Sequence, residues 1–255
     1  MPGIPAQAIG GFYAIAGIAI LALLWHRHIL TRGRGIAVLV LTTVIGFAIF
    51  APMLPYQVQL LILDIADGLP VEVVPAVGLA AVFVLTFLFG RVLCGHLCPI
   101  GAVQELLSVV IPRTIAVPDW RIPPLVRVAV LCVMIVLALP AVNLLRVTGV
   151  SAFFHLTIQS PLIWVFIGIL ALSLVVYRPF CRFVCPYGVF LYVTGMTSRF
   201  GFFRTDACID CKKCERACPT GEAGRGSSKA ECYMCGRCVE VCPVEGALEY
   251  RRRNR

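Results

Sequence analysis

The chain has 255 residues, of which 60% are hydrophobic and 14% charged, with a formal net charge of +9 and 13 cysteines. Soluble domains carry about 45–50% apolar and about 25% charged residues. This composition argues against an ordinary cytosolic enzyme, and so much apolar surface argues against disorder. The odd cysteine count and the cysteine clusters at metal-ligand spacing argue against a disulfide-stapled secreted domain.

Five apolar runs approach the roughly 17–25 residues that cross a hydrocarbon core. They are Ile9 to Trp25, Ile36 to Leu54, Ala76 to Leu93, Val126 to Leu145 and Leu162 to Tyr177. The first is not read as a signal peptide, because Met1 to Gln7 holds no Lys or Arg and basic residues follow the run. Arg27, Arg32 and Arg34 come after run one, four arginines lie from Arg91 to Arg127, and the loop between runs four and five has only Arg146. Asp64, Asp67 and Glu72 occupy a loop with no basic residue. Threaded through five spans, 21 of the 22 basic residues fall on one side. Cytoplasmic loops carry such an excess. The expected fold is therefore an all-α polytopic membrane domain of about five transmembrane helices over residues 1–203, N-terminus out and C-terminus in, in the cytoplasmic membrane. Lipid then accounts for the charge, and nucleic acid is not expected as a partner. Arg251, Arg252, Arg253 and Arg255 form a basic tail, residues 251–255, suited to anionic headgroups.

Two cysteine pairs sit at the ends of runs three and five as an internal repeat. Arg91-Val-Leu-Cys94-Gly-His-Leu-Cys98-Pro99-Ile-Gly101 and Arg178-Pro-Phe-Cys181-Arg-Phe-Val-Cys185-Pro186-Tyr-Gly188 share the pattern R-x2-C-x3-C-P-x-G. Cysteines at i and i+4 share a helix face, so the two pairs can offer four thiolates: Cys94, Cys98, Cys181 and Cys185. Three chemistries are open to them: a further metal centre, a dithiol redox pair, or a site for copper or another soft metal. His96 could join such a site. Arg91 and Arg178 either lower the thiol pKa values or are ordinary flanking charges. Residues 100–111 read as an interfacial helix, Trp25, Trp120 and Trp164 as interface anchors, and Cys132 as packing. His155, in the loop before run five, is a candidate for a quinone site.

Residues 204–250 read as a small α+β ferredoxin-type domain. Cys208, Cys211, Cys214 and Cys218 follow C-x2-C-x2-C-x3-C before Pro219, and Cys232, Cys235, Cys238 and Cys242 repeat this before Pro243. Two-residue gaps wrap three thiolates round one face of an iron–sulfur cube, and the fourth cysteine reaches the other cube. Cys208, Cys211, Cys214 and Cys242 are thus expected to hold one [4Fe–4S] cluster, and Cys218, Cys232, Cys235 and Cys238 the other. Structural zinc rarely shows two complete runs of this kind.

These motifs together resemble the membrane polyferredoxins, namely the NapH-type quinol dehydrogenase subunits and the C-terminal half of NosR-type proteins. The resemblance covers roughly residues 76–245 and implies electron transfer between the quinone pool, or a membrane redox partner, and a reductase system. Two alternatives stand beside it: a metal-handling accessory protein that reduces a metal at the C-x3-C-P cysteines, and a redox-sensing or anchoring subunit.

Overall fold

A computed structural model describes residues 6–27, 29–49, 54–68, 73–110, 121–140 and 142–253. The chain opens with α1 (Ala6–His26), α2 (Arg32–Ile49), α3 (Leu54–Ala66) and α4 (Val73–Phe89). A π-helical turn, π1 (Leu93–Leu97), leads into α5 (Pro99–Val110). Next come α6 (Ile122–Ala138), the short α7 (Leu144–Val147) and α8 (Val150–Phe154), and α9 (Leu162–Leu172). A second π-turn, π2 (Phe180–Val184), precedes α10 (Tyr187–Thr197). The C-terminal module holds β1 (Phe200–Arg204), α11 (Lys213–Ala217), α12 (Arg237–Glu240) and β2 (Leu248–Arg252).

The expected five-span membrane domain is not what the chain forms. Among the described residues, one helix, Ile9–His26 within α1, is long and apolar enough to cross a membrane. Ala76–Phe89, Ile122–Ala138 and Leu162–Leu172 are shorter. At 1.5 Å per residue a 17-residue helix rises only about 25 Å, against about 30 Å of hydrocarbon. The sequence runs are longer than the helices because they continue into turns. Run three passes Gly90, whose φ of +79° ends α4 before π1. Run five leaves its helix after Leu172 and ends at Tyr177, which is buried against other elements.

Helical periodicity sorts α1. Ala14, Ile18, Leu21, Ala22 and Trp25 are buried, while Phe12, Ile15, Ile20 and Leu23 are exposed. Its buried face packs on α4, and Gly17 lets it close on Leu97 of π1, whose side chain a Cβ would meet at 2.7 Å. α2 packs on α5, and α10 packs on α4 and α6. Large apolar side chains stay exposed on the outer faces of α1, α2, α4, α6 and α9.

The C-terminal module is tied to the helices. β1 and β2 pair antiparallel with Phe202 opposite Tyr250, closing the module's two ends together. Trp25 meets Phe202 edge-on at 5.6 Å, and the Tyr250 hydroxyl donates to the Phe89 carbonyl at 2.9 Å. Trp25 is therefore an interior residue rather than an interface anchor. Trp164 is exposed on α9, and Trp120 lies outside the described residues.

Candidate iron–sulfur site

The two ferredoxin loops share one backbone design. Asp210 and Lys212 in the first loop, and Met234 and Gly236 in the second, all adopt positive φ (+52°, +56°, +57° and +80°). They occupy matching places between the cysteines. For a non-glycine residue this conformation costs about 1–2 kcal/mol, and in return it folds the loop round a central space. The structure brings Cys208, Cys211, Cys214 and Cys242 round one void of about 340 Å3 of atom-free space. It brings Cys218, Cys232, Cys235 and Cys238 round a second of about 450 Å3. Leu248 lines both. Four soft thiolate donors round each void are the donor set of a [4Fe–4S] cube.

The C-x3-C-P repeats meet beneath the module. In each, a π-turn closes with an i→i+5 bond, Cys98 N to Leu93 O at 2.8 Å and Cys185 N to Phe180 O at 2.9 Å. Single π-turns often mark functional sites. Proline then starts the next helix, where a missing N–H costs nothing. The glycine three residues past each second cysteine brings its N–H beside the sulfur, Gly101 at Cys98 and Gly188 at Cys185, and the Gly188 N–H bonds the Cys185 carbonyl at 3.1 Å. Only glycine fits there, since a Cβ would strike the Cys94 carbonyl at one site and the Arg127 guanidinium at the other.

Each repeat's arginine clasps the other repeat. Arg91 donates to the carbonyls of Leu191 at 3.0 Å and Gly188 at 2.9 Å. Arg178 donates to the carbonyls of Cys94 and Gly95. Both also bind buried carboxylates. Arg178 pairs with Glu105 at 2.9 Å, and Arg91 and Arg127 pair with Glu231 at 3.3 and 2.6 Å. These arginines are structural clasps first. Burial pushes the Cys94 thiol above its ordinary value, although Arg91, Arg178 and Arg127 pull the other way.

The polar stripe of α5 carries a role the sequence reading missed. Gln104, Glu105 and Ser108 are buried. Gln104 accepts from Phe180 N at 3.0 Å and donates towards Cys181 Sγ at 3.4 Å. Glu105 and Ser108 receive Arg237 of the module at 2.9 and 2.7 Å. The stripe thus faces protein, not headgroups. The signal was present in the sequence, as polar residues at i, i+1 and i+4 of an otherwise apolar helix.

A larger cavity of about 650 Å3 opens between the α1–α2 corner and the module. Trp25, Leu30, Ile36, Leu39 and Phe202 supply apolar walls, and Cys235 and Cys242, one from each cysteine set, also line it. His96 lines it too and is 3% exposed, and its Nδ1 has no hydrogen-bond partner among the described residues. His155 follows α8 and lines none of these spaces. Cys132 is exposed on α6, so packing does not account for it.

Two voids framed by four thiols each, set in a helical protein, are the arrangement of an iron–sulfur protein. A 4Fe-4S binding domain model matches residues 72–118 and 157–201, which hold the two repeats, and a second matches residues 202–221. YccM of Escherichia coli K12, whose name assigns it to electron transport, is 30% identical over 194 residues, covering 68% of this chain and 54% of YccM. The chain thus spans about half the length of that relative. The protein MJ0750 of Methanocaldococcus jannaschii is 30% identical over 179 residues, covering 64% of this chain and 74% of its own. The ferredoxin-type protein NapH of E. coli K12 is 26% identical over 199 residues, 70% of this chain and 69% of NapH. No solved structure matches the chain. The chain belongs to this family of 4Fe-4S-binding electron-transport proteins.

Proposed function

We propose that the chain exchanges electrons between a quinone-class carrier and two [4Fe–4S] clusters in its C-terminal module, and from there with a redox partner protein. In this reading Cys208, Cys211, Cys214 and Cys242 hold one cluster, and Cys218, Cys232, Cys235 and Cys238 the other. When bound, the clusters supply one-electron transfer. The carrying observation is the cavity of about 650 Å3, which Cys235 and Cys242 line together with an aromatic and aliphatic wall. Pockets for small redox molecules are of this size and mostly apolar, with a few polar groups. A quinol gives up two electrons and two protons. Clusters held by the two adjacent cysteine sets would take one electron each, and the carboxylates Glu240, Glu245 and Glu249 in the lining would take up the protons. The His96 ring, whose Nε2 stands beside the cavity-lining Gly35, offers a polar group to one carrier oxygen.

Membrane association belongs to the same reading. α1 is apolar enough to enter a bilayer, and the exposed apolar residues of α2, α4, α6 and α9 extend that surface. Large apolar patches of this kind mark lipid or protein contact. The cavity begins at Trp25, near the end of α1, where a lipid-soluble carrier would arrive.

Filling the cavity tests this. Gly35 lines it, and a Cβ there would lie 3.2 Å from His96 Nε2. Gly35→Phe in the holoprotein should slow cluster reduction by a soluble quinol at least about tenfold, while reduction by dithionite stays unchanged. Equal quinol rates in the two proteins would remove the cavity from the path.

A further inference from the structure

The two cysteine runs of the module match position for position. Ile209 corresponds to Tyr233, Lys212 to Gly236 and Lys213 to Arg237. Each run passes a left-handed residue, Lys212 or Gly236, and starts a short helix at the next position, α11 at Lys213 and α12 at Arg237. The local backbone is the same, and the surroundings differ.

The rim of the second run is a docking face in use. Tyr233 is 3% exposed, with its carbonyl against Gly95 and its ring under the guanidinium groups of Arg91 and Arg178 at 5.2 and 5.0 Å. Arg237 is buried and donates to Glu105 at 2.9 Å. A large side chain after the first cysteine and a cation before the third thus carry the joint to the helices, and the cation takes a carboxylate.

The matching rim of the first run faces outward. Ile209 is 65% exposed, and Lys212 and Lys213 are exposed with it. Ile209 and Lys212 line the same space as Cys208, Cys211 and Cys214. Neither lysine enters an ion pair among the described residues, whereas Asp210 is held by Arg204 and Arg225, and Glu215 by Arg204. Only three of the 22 basic residues are lysines: Lys212, Lys213 and Lys229. Lys229 is buried and bonded to the Glu222 carbonyl, so the two free ammonium groups are neighbours on this rim. Arginine's planar fork suits the fixed buried pairs, and lysine's flexible, hydrated point charge suits a contact made and broken. Lys212 also stands at φ +56°, where the second run has Gly236 at +80°. Glycine adopts that conformation at no steric cost, so a lysine held there points to use of its side chain.

An exposed apolar residue ringed by cations, over a set of cysteines, complements an acidic protein face. The carboxylates of Asp206, Asp210 and Glu245 are exposed on the same module. An evenly anionic lipid surface would repel them, and a patterned protein surface accommodates them. A second copy in a two-fold contact would set these lysines against themselves.

We propose that the rim of Ile209, Lys212 and Lys213 is the docking site of a small acidic one-electron carrier protein, which exchanges electrons with the cluster at Cys208, Cys211, Cys214 and Cys242. One electron passes at each encounter: the donor is oxidised, the acceptor is reduced, and no bond or proton moves. This rests on the reading that the module holds clusters, and it gives the redox partner of that reading a surface and a charge.

The probe is an acidic [2Fe–2S] ferredoxin of plant type. Zero-length carbodiimide coupling joins an ammonium to a carboxylate in contact with it, and should link ferredoxin carboxylates to the peptide holding Lys212 and Lys213. Binding to the cluster-loaded chain should weaken at least about tenfold between about 0.01 M and about 1 M salt, as the screening length falls from about 30 to about 3 Å. Lys213→Glu should weaken it by a similar factor at low salt. Lys212→Gly keeps the left-handed backbone and removes the side chain alone; it should weaken binding severalfold with iron content unchanged. Should a variant lose iron, the salt dependence and the cross-link map of the unaltered chain decide. Quinol-driven reduction is a separate readout and should be the same in all three proteins; its absence from all three would overturn the cavity reading alone. Undetectable or salt-independent ferredoxin binding, or equal affinity in the unaltered chain and both variants, would overturn the proposal. So would variants that lose binding to phosphatidylglycerol vesicles while keeping ferredoxin, which would assign the rim to lipid.

Discussion

Arg91 donates a hydrogen bond to the carbonyl of Gly188, 2.9 Å away and 97 residues further along the chain. With its counterpart from Arg178 to Gly95, also at 2.9 Å, it crosses the two repeats over one another. A single lost arginine should therefore loosen both. Replacing one partner of a buried pair costs about 3–5 kcal/mol, because the other charge is left uncompensated. Arg178→Gln should lower the unfolding temperature of the holoprotein sharply, followed by circular dichroism. Arg178→Lys should restore little, since one ammonium cannot serve the Cys94 and Gly95 carbonyls and Glu105 together.

Glu105 joins the helices to the module and gives that joint a pH dependence. Burial alone would raise its carboxyl, but the Arg178 and Arg237 charges, with the Tyr177 hydroxyl, outweigh burial and bring it down to about 2. A carboxylate lowered in the folded state contributes stability that is fully present above its unfolded value near 4.5 and lost as pH falls towards about 2. Brief proteolysis at stepped pH should show the module loosening across that window. Glu105→Gln should be weaker at neutral pH and lose the dependence. A variant with the same pH curve as the unaltered chain would place the acid sensitivity elsewhere.

Gly95 is a steric test of docking. A Cβ would collide with the backbone carbonyl of Tyr233, which has no flexible end to move aside. Gly95→Ala should raise hydrogen exchange in the second ferredoxin loop and in π1 together. Gly78, which has open space around it, is the control: Gly78→Ala should leave exchange in both segments unchanged.

The crossed ligand sets predict selective loss. Cys242→Ser should remove the cluster at Cys208, Cys211 and Cys214, although Cys242 is nearer in sequence to the second run. Electron paramagnetic resonance of the reduced variant should retain one module cluster. Loss of the Cys232, Cys235 and Cys238 cluster instead would show that each run closes on itself.

The cysteine grammar was legible because it is local. Gaps of two and three residues dictate which thiols can share a loop, and the C-P-x-G repeat marked two equivalent segments without showing what its glycine does. Glu105, Glu231 and Tyr233 were not legible, because their meaning lies in partners far off in the chain; Arg237 meets Glu105 across 132 residues. The apolar runs were over-read for a related reason. Apolar content records burial without saying against what: Trp25 packs on the module, Leu97 packs on α1, and run three forms helix only as far as Phe89 before π1. Charge asymmetry misled similarly, since Arg91, Arg127, Arg178 and Arg182 are buried ion-pair partners and not loop charges.

In the proposed function a carrier in the cavity beside Cys235 and Cys242 trades electrons with the module clusters. The most direct measurement is rapid mixing of the oxidised, cluster-loaded chain with a soluble quinol under anaerobic conditions, following the bleaching of the cluster absorbance. Bleaching should saturate with quinol concentration and be slowed by Gly35→Phe. Clusters that bleach with dithionite but stay oxidised under excess quinol of lower potential would contradict it.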